Sequence, residues 1–335
     1  MKIKSLLFIV ILCGCSTELD IIEEYPMVPV IYSLVNPYDS VHYVRVHKTF
    51  VINMKNDWST LTCDSLQISN AEVYLIGKLG DQTKWTEELS PVLLDKDDGF
   101  FPTEGFQVYM LDHPLQINLS DPIGDSDLGH PDIDSLILEV KIPTSNVVTR
   151  AVAPVKTAYK VKVLPSTKII SLYGDKITRF SMGGGDCDPS KGFCYRQIGF
   201  RVHYQDHFPD SSVTRSIEWK TIEGWGETES SYQLTPERLF NRMKILIPNN
   251  PEVLSRTLDR VNVTIIKPDK CFSDWWQIKG YWENSDNEPY TNFSNSYGLF
   301  ITYLKGETTG LILDRQSMDT LCHGYLYEVM RFRNW

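Results

Sequence analysis

The sequence predicts a mainly β protein: an N-terminal β-sandwich, immunoglobulin-like or transthyretin-like, followed by a second β-rich domain with short helical insertions. Three observations carry this. Branched and aromatic residues alternate with polar ones along many short stretches, the period-two signature of half-buried strands. Turn-forming clusters separate those stretches along the chain, as in antiparallel sandwiches. The 335 residues, with 17 tyrosines and 8 tryptophans, suit two domains of ~150 residues each, rich in the residue types that favour strands.

The N-terminal domain is expected over residues 25–157. "VHYVRVHKTFV" (41–51) and "AEVYLIGK" (71–78) alternate cleanly. Gly80-Asp81 marks a turn before "TKWTEEL". "GFQVYMLD" (105–112), "SLILEVKIP" (135–143) and "VVTRAVAP" (147–154) continue the series, with breaks at "DKDDGF", "SDPIGDSDLGHPD" and Pro143–Asn146. The boundary falls between Pro154 and Tyr159.

Residues 158–335 form the second domain. "YRQIGFRVHYQD" (195–206), "SVTRSIEWKT" (212–221) and "RVNVTIIKP" (260–268) read as strands, as do "YGLFITYLKGE" (297–307) and "TGLILDR" (309–315). "TPERLFNRM" (235–243) has the marks of a helix start: Thr235 as cap, Pro236 in the first turn and Glu237 at the positive end. "SDWWQIKGYWE" (273–283) reads as a second helix capped by Ser273, with Trp275, Ile278 and Trp282 near helical spacing. Its aromatic stripe has two readings, core packing or a contact surface. Trp275, Trp276, Tyr281 and Trp282 are the candidate ligand or partner patch.

The first residues carry an address. Lys2 and Lys4 precede an apolar run from Leu6 to Leu12, and Glu18 and Asp20 close it. A spanning helix needs roughly 20 apolar residues, so this run is too short; its layout is that of an export signal. Leu12-Cys13-Gly14-Cys15 resembles the lipobox of bacterial lipoproteins, with Cys13 where Ala or Ser is more usual. That resemblance implies a signal peptide over 1–14, Cys15 as the first mature residue carrying diacylglycerol and an N-acyl chain such as palmitate, and a tether over 15–24. Each buried methylene contributes about 0.8 kcal/mol, so two or three acyl chains hold firmly. The acids behind Cys15 resemble the signal that sends Bacteroidota lipoproteins to the outer face of the outer membrane; the alternative is an acidic linker facing the periplasm.

Removing Lys2 and Lys4 with the signal takes the formal net charge from −10 to −12. An acidic chain without a Lys/Arg cluster argues against a nucleic-acid binder, which needs basic phosphate contacts. Of 7 cysteines, Cys13 and Cys15 lie in the signal region. An oxidising compartment permits disulfides. Cys187 and Cys194 flank the turn-rich Asp-Pro-Ser-Lys-Gly-Phe and are expected to pair. Cys271 with Cys322 is a second expected bridge, with free buried thiols as the alternative; Cys63 is then the odd one. No CxxC or HxxxH spacing points to zinc.

No catalytic residues are assigned. There is no Gly-x-Ser-x-Gly elbow, and "SMGGGDCD" (181–188) lacks the Lys-Ser/Thr of a phosphate loop. The stretch from 121 to 134 offers Asp121, Asp125, Asp127, Asp132 and Asp134 with bends at Gly124 and Gly129, a candidate calcium loop; its spacing misses the EF-hand pattern, and a solvated acidic turn is the other reading. His42 and His47, five apart on one strand, face opposite sides; His203 and His207 share a parity. Ser40, Ser65, Ser135 and Thr320, each between Asp and Val or Leu, resemble the short O-glycosylation sequon of Bacteroidota.

"PVIYSLVNPYDSVHYVRVHKTF", "ISNAEVYLIG", "DSLILEVKIPTS" and "FSNSYGLFITY", in that order, resemble successive segments of an uncharacterised family of Bacteroidota outer-membrane lipoproteins that carries a domain of unknown function. The resemblance runs from about Tyr25 to Leu313. Genes of that family often lie beside those of TonB-dependent receptors. The resemblance therefore implies a non-enzymatic accessory or ligand-capturing partner of such a β-barrel receptor, its ligand a small molecule, peptide or glycan. The alternatives are an extracellular glycan- or peptide-acting hydrolase and a structural or adhesive surface module.

Overall fold

The computed structural model describes residues 28–49, 67–68, 70–94, 106–123, 127–157, 159–165, 168–182, 194–225, 231–282, 290–323 and 325–333. The signal and tether with Cys15, and Cys63, Ser65, Asp125 and Cys187, lie outside them, as do the side chains of Cys194, Tyr281 and Trp282. The expected Cys187–Cys194 bridge and half of the tryptophan-tyrosine patch thus fall outside the described part.

The protein is mainly β. The N-terminal half holds β1 (Pro29–Val35), β2 (His42–Lys48), β3 (Glu72–Leu79), β4 (Gln82–Leu94), β5 (Phe106–Leu111), β6 (Ser135–Ile142) and β7 (Val147–Pro154). Alternation places them. On β1, Ile31, Ser33 and Val35 point inward while Tyr32 and Leu34 point out; on β2, His42, Val44 and Val46 point inward and Tyr43 and Arg45 out. Gly80, at φ +56°, makes the tight turn between β3 and β4. β4 stitches two pairings together: it runs antiparallel to β3 as far as Leu89, then from Ser90 to β5.

The second half adds β8 (Val161–Leu164), β9 (Ile169–Ile170), β10 (Thr178–Met182), β11 (Cys194–His207), β12 (Ser212–Trp225), β13 (Tyr232–Leu234), β14 (Ser255–Pro268) and β15 (Tyr297–Leu313). Its helices are α1 (Pro236–Leu246), α2 (Lys270–Trp282), α3 (Arg315–Cys322) and α4 (Tyr325–Met330). On α1 the cap is as expected: the Thr235 hydroxyl accepts from the Arg238 amide at 3.3 Å, and Leu239, Phe240 and Met243 are buried. On α2 the cap is not Ser273, which is buried within the first turn. Asp269, one residue ahead of the helix, accepts from the Phe272 amide at 3.2 Å. No described helix is long and apolar enough to cross a membrane.

One large sheet runs β12-β11-β14-β15-β1-β2-β5-β4-β3-β6-β7; a small one runs β13-β10-β8. Two cores form on it. The first gathers Ile31, Val44, Val73, Leu75, Leu136 and Leu138 with their neighbours; the second gathers Phe180, Phe200, Val202, Phe240, Val263 and Phe332 with theirs. Along the chain the first core runs to Val155 and the second begins at Val161, but the two are not separate in sequence. Phe293 and Phe300, far along the second half, are buried in the first core. The chain can do this because β15 is parallel to β1 from Tyr297 to Thr302 and antiparallel to β14 from Tyr303 to Leu311. The path also curls back on itself: Ala151 of β7 bridges to Phe293, and the Ser294 amide donates to the Arg150 carbonyl.

β15 is also a single strand where the sequence predicts two. The expected break, at Thr308, falls at a bulge. Val263 faces Thr308 and Val261 faces Leu311, and the Asn262 side chain accepts from the Gly310 amide at 3.1 Å. The C-terminal segment is held by a buried charge. Arg256, 2% exposed, bonds to Asp206 at 2.7 Å, to the Met330 carbonyl at 2.8 Å and to the Pro248 carbonyl at 2.9 Å. The other Asp206 oxygen takes Arg215 at 2.6 Å.

Gly298 is where β1 and β15 meet most tightly. Its φ is +112°, and a β-carbon there would stand 1.8 Å from the Ile31 carbonyl oxygen. Gly298→Ala is expected to cost about 3 kcal/mol, combining left-handed strain with a backbone clash. Gly80→Ala, at φ +56° with open space around it, should cost about 1 kcal/mol. Urea unfolding midpoints of the two variants check the difference.

Candidate functional site

The site is assembled from the end of β14, helix α2 and the start of β15. Asp269 fixes how these meet. Its amide donates to the Thr302 carbonyl at 2.9 Å, and its carboxylate accepts from the Thr302 amide at 3.0 Å as well as from the first turn of α2. The Thr302 hydroxyl donates to the Pro154 carbonyl at 2.5 Å, which ties the end of β7 to the same point. Burial pushes the Asp269 pKa up, against the hydrogen bonds from Thr302 and Phe272 that pull it down.

From that anchor α2 carries Phe272, Trp275 and Trp276, whose ring centroids lie 5.7 to 6.0 Å apart in tilted, stacked and edge-on pairs. Of the candidate patch, the structure therefore joins Trp275 to Trp276. Trp275 then reaches a concavity of about 290 Å³ that it shares with Tyr32, Tyr290 and Tyr297 and with Val30, Thr49, Gly298 and Leu299. Among the described residues none that lines it carries a charge, in a chain of formal net charge −10. Sequence reasoning missed the three tyrosines. Tyr32 looked like one outward strand position among many, and only the parallel pairing of β1 with β15 brings it beside Tyr297. The left-handed Gly298 leaves the floor of the concavity without a side chain.

Behind Tyr32 stands His47, its ring stacked on the tyrosine at 5.9 Å and 24°. Burial first, and the nearby Arg45 charge second, press its pKa from 6.5 down to about 4. Under Tyr290 lies Cys271. Burial raises its thiol pKa, and Tyr290 and Asn292 hydrogen-bond to it; burial and the neighbouring Cys271 likewise push Tyr290 up. Cys271 and Cys322 are both free, which corrects the expected bridge between them. Cys271 is half-buried on α2 beside Tyr290, whereas Cys322 is buried in the second core at the end of α3, its thiol raised to about 11 by burial. Both behave as packed thiols, not as reactive ones.

The described carboxylates of the acidic loop take separate partners. Asp127 accepts from the Gly129 amide at 2.6 Å, Asp132 from the Asn118 amide and side chain at 3.0 and 2.7 Å, and Asp134 from the Gly80 amide at 2.7 Å and Ser135 at 2.8 Å. Asp121 is exposed. Among the described residues no three His, Cys, Asp or Glu side chains converge as metal ligands. Of the sequon residues, Ser40 and Thr320 are exposed, while Ser135 donates to Asp134 at the start of β6. His42 is buried in the first core side of β2 and His47 is on the other face, as their parity requires. His203 contacts Asn262 and His207 contacts Thr257, so neither pair is joined at a site.

A second concavity, about 320 Å³, lies on the open face of the β11, β12, β14 and β15 strands. It is lined by Arg201, Lys220 and Lys305 against Glu218 and Glu307. Arg201 holds Glu218 through two bonds, at 2.7 and 3.0 Å, and Lys220 stands 3.8 Å from the same carboxylate. That charged, largely internally paired surface is a weaker candidate than the aromatic one, where ring faces remain for a ligand. Compared with models of known protein families and with curated proteins, the chain matches none.

The depressed His47 gives a pH dependence whose sign is fixed. Unfolded, the imidazole binds a proton near 6.5; folded, it stays neutral down to about 4. Its contribution to stability is therefore fully present above pH 6.5 and is lost as pH falls through that interval. An NMR titration should place the His47 midpoint near 4, and His47→Gln should flatten the loss of thermal stability between pH 6.5 and 4.

Proposed function

We propose that this chain is a non-enzymatic, lipid-anchored outer-membrane protein that captures a ligand and works as the accessory of a TonB-dependent receptor. The observation that carries the capture role is the uncharged concavity of Trp275, Tyr32, Tyr290 and Tyr297. Ligand sites are concave and mostly apolar, with a few polar groups that set orientation. Here the hydroxyl of Thr49 and the tyrosine rims supply those groups. The two walls come from β1 and from α2, and both are fixed by β15 through Gly298 and Asp269. A preformed pocket of rigid rings loses little conformational freedom on binding. The anchor rests on the Leu12-Cys13-Gly14-Cys15 order, and the receptor partner on the ordered segments from Tyr25 to Leu313. Tethering at the bilayer raises the effective concentration of captured ligand beside a membrane transporter.

Two measurements test this reading. Cys15→Ser should move the protein from the envelope pellet to the soluble fraction, because the acyl chains are the only anchor proposed; unchanged partitioning would refute the anchor. Affinity purification from native membranes should bring down a β-barrel receptor together with a small molecule detectable by mass spectrometry. Trp275→Ala should lower the small molecule in the eluate about tenfold or more while the receptor is still recovered. Equal recovery of the small molecule would reject the concavity as its site.

A further inference from the structure

β12 ends the large sheet, and its edge is unlike the opposite one. Among the described residues it pairs on one side alone, with β11, from Ser212 to Trp225 and without a register shift. It contains no proline and no bulge, and it is rich in strand formers: Val213, Thr214, Ile217, Trp219, Thr221 and Ile222. Its residues from Ser212 to Ser216 are all exposed. At the far end of the path, β7 finishes at Pro154 and is closed by the bridge to Phe293. Soluble sheets blunt their edges with prolines, bulges, short strands, covering segments or charged side chains. Among the described residues the β12 edge has only the last of these, and alternating charges of both signs on a long, regular edge can be met by a strand that offers the opposite charges.

We propose that β12 pairs antiparallel with β12 of a second copy of this chain, about a two-fold axis through Trp219, and so continues the sheet across a dimer. The charges select the register. In a continuous sheet related by such an axis, the residues facing each other must lie on the same face, so the axis passes through a residue. An axis at Glu218 sets that carboxylate on its own copy, and an axis at Lys220 does the same for the ammonium groups. The axis at Trp219 instead places Glu218 opposite Lys220 twice. Glu218 and Lys220 both project from the open face, 41% and 58% exposed at the side chain, within reach of cross-strand partners. Trp219, stacked on Phe200 at 5.2 Å and 19°, meets its own copy on the other face, where it extends the second core toward the axis.

Charge reversal tests this without touching the core. The purified protein is followed by sedimentation equilibrium from micromolar to submillimolar concentration, with circular dichroism melts as the check on folding. The unaltered protein should dimerise. Glu218→Lys alone and Lys220→Glu alone should each weaken dimerisation about tenfold, since the two-fold axis repeats the like-charge contact. An equimolar mixture of the two variants should recover the dimer, because each copy then offers the charge the other lacks. The loss of the Arg201–Glu218 pair within one copy cannot produce that recovery. A monomer across the whole range, dimerisation indifferent to both variants, or a mixture no better than its parts overturns the proposal; the second outcome would assign dimerisation to another surface.

Discussion

The structure depends on one strand serving two cores. β15 spends its first third beside β1, where Phe300 enters the N-terminal core, and the rest beside β14, where Leu304, Leu311 and Leu313 enter the other. Alternation alone would allow this, because a strand has two faces and many positions. The close approach at Gly298 makes it specific: no side chain fits between β15 and the Ile31 carbonyl. Each buried aliphatic side chain contributes roughly 1.5–3 kcal/mol, so the residues β15 supplies to both cores couple the halves strongly. They cannot be treated as beads on a string.

The aromatic concavity is a by-product of the same crossing. Its walls come from residues more than two hundred positions apart, Tyr32 and Trp275 among them. They are held by Asp269, which reads the end of β14, the first turn of α2 and the middle of β15 at once. A buried carboxylate is costly unless hydrogen bonds satisfy it, and here backbone amides do so. The rigidity of the site thus comes from backbone bonding at its rear and not from the aromatic rings themselves.

Much of the fold was legible from period-two patterning. β2, β3, β5, β6, β7, β11 and β12 lie within a few residues of their expected positions. Long pairings with one face buried leave a clear alternation. The short strands β8, β10 and β13 did not, because three to five residues give too few alternations to stand out. The expected gap at Thr308 lies at a bulge, where the extra residue on β15 interrupts the period-two alternation and makes one strand read as two. Ser273 looked like a cap because serine commonly is one, yet the chain had Asp269 four residues earlier, and only the meeting with Thr302 shows which of them is used. The site was half legible. Trp275 and Trp276 stood out by their rarity, whereas Tyr32 and Tyr297 come together only through the parallel pairing, which leaves no local mark. Cysteine spacing misled, because two buried thiols in different surroundings have the same sequence signature as a bridged pair.

The late arrival of β15 has a consequence for how the molecule comes into being. A nascent chain presents β1 to β7 long before Phe293 and Phe300 follow. Until they do, the N-terminal half lacks the strand that flanks β1 and the ring that fills its centre. It must wait as an open, sticky sheet, and the closing contact spans most of the polypeptide, a topology that folds slowly. Until then its unpaired strand edges are open to wrong partners, the state that chaperones shield.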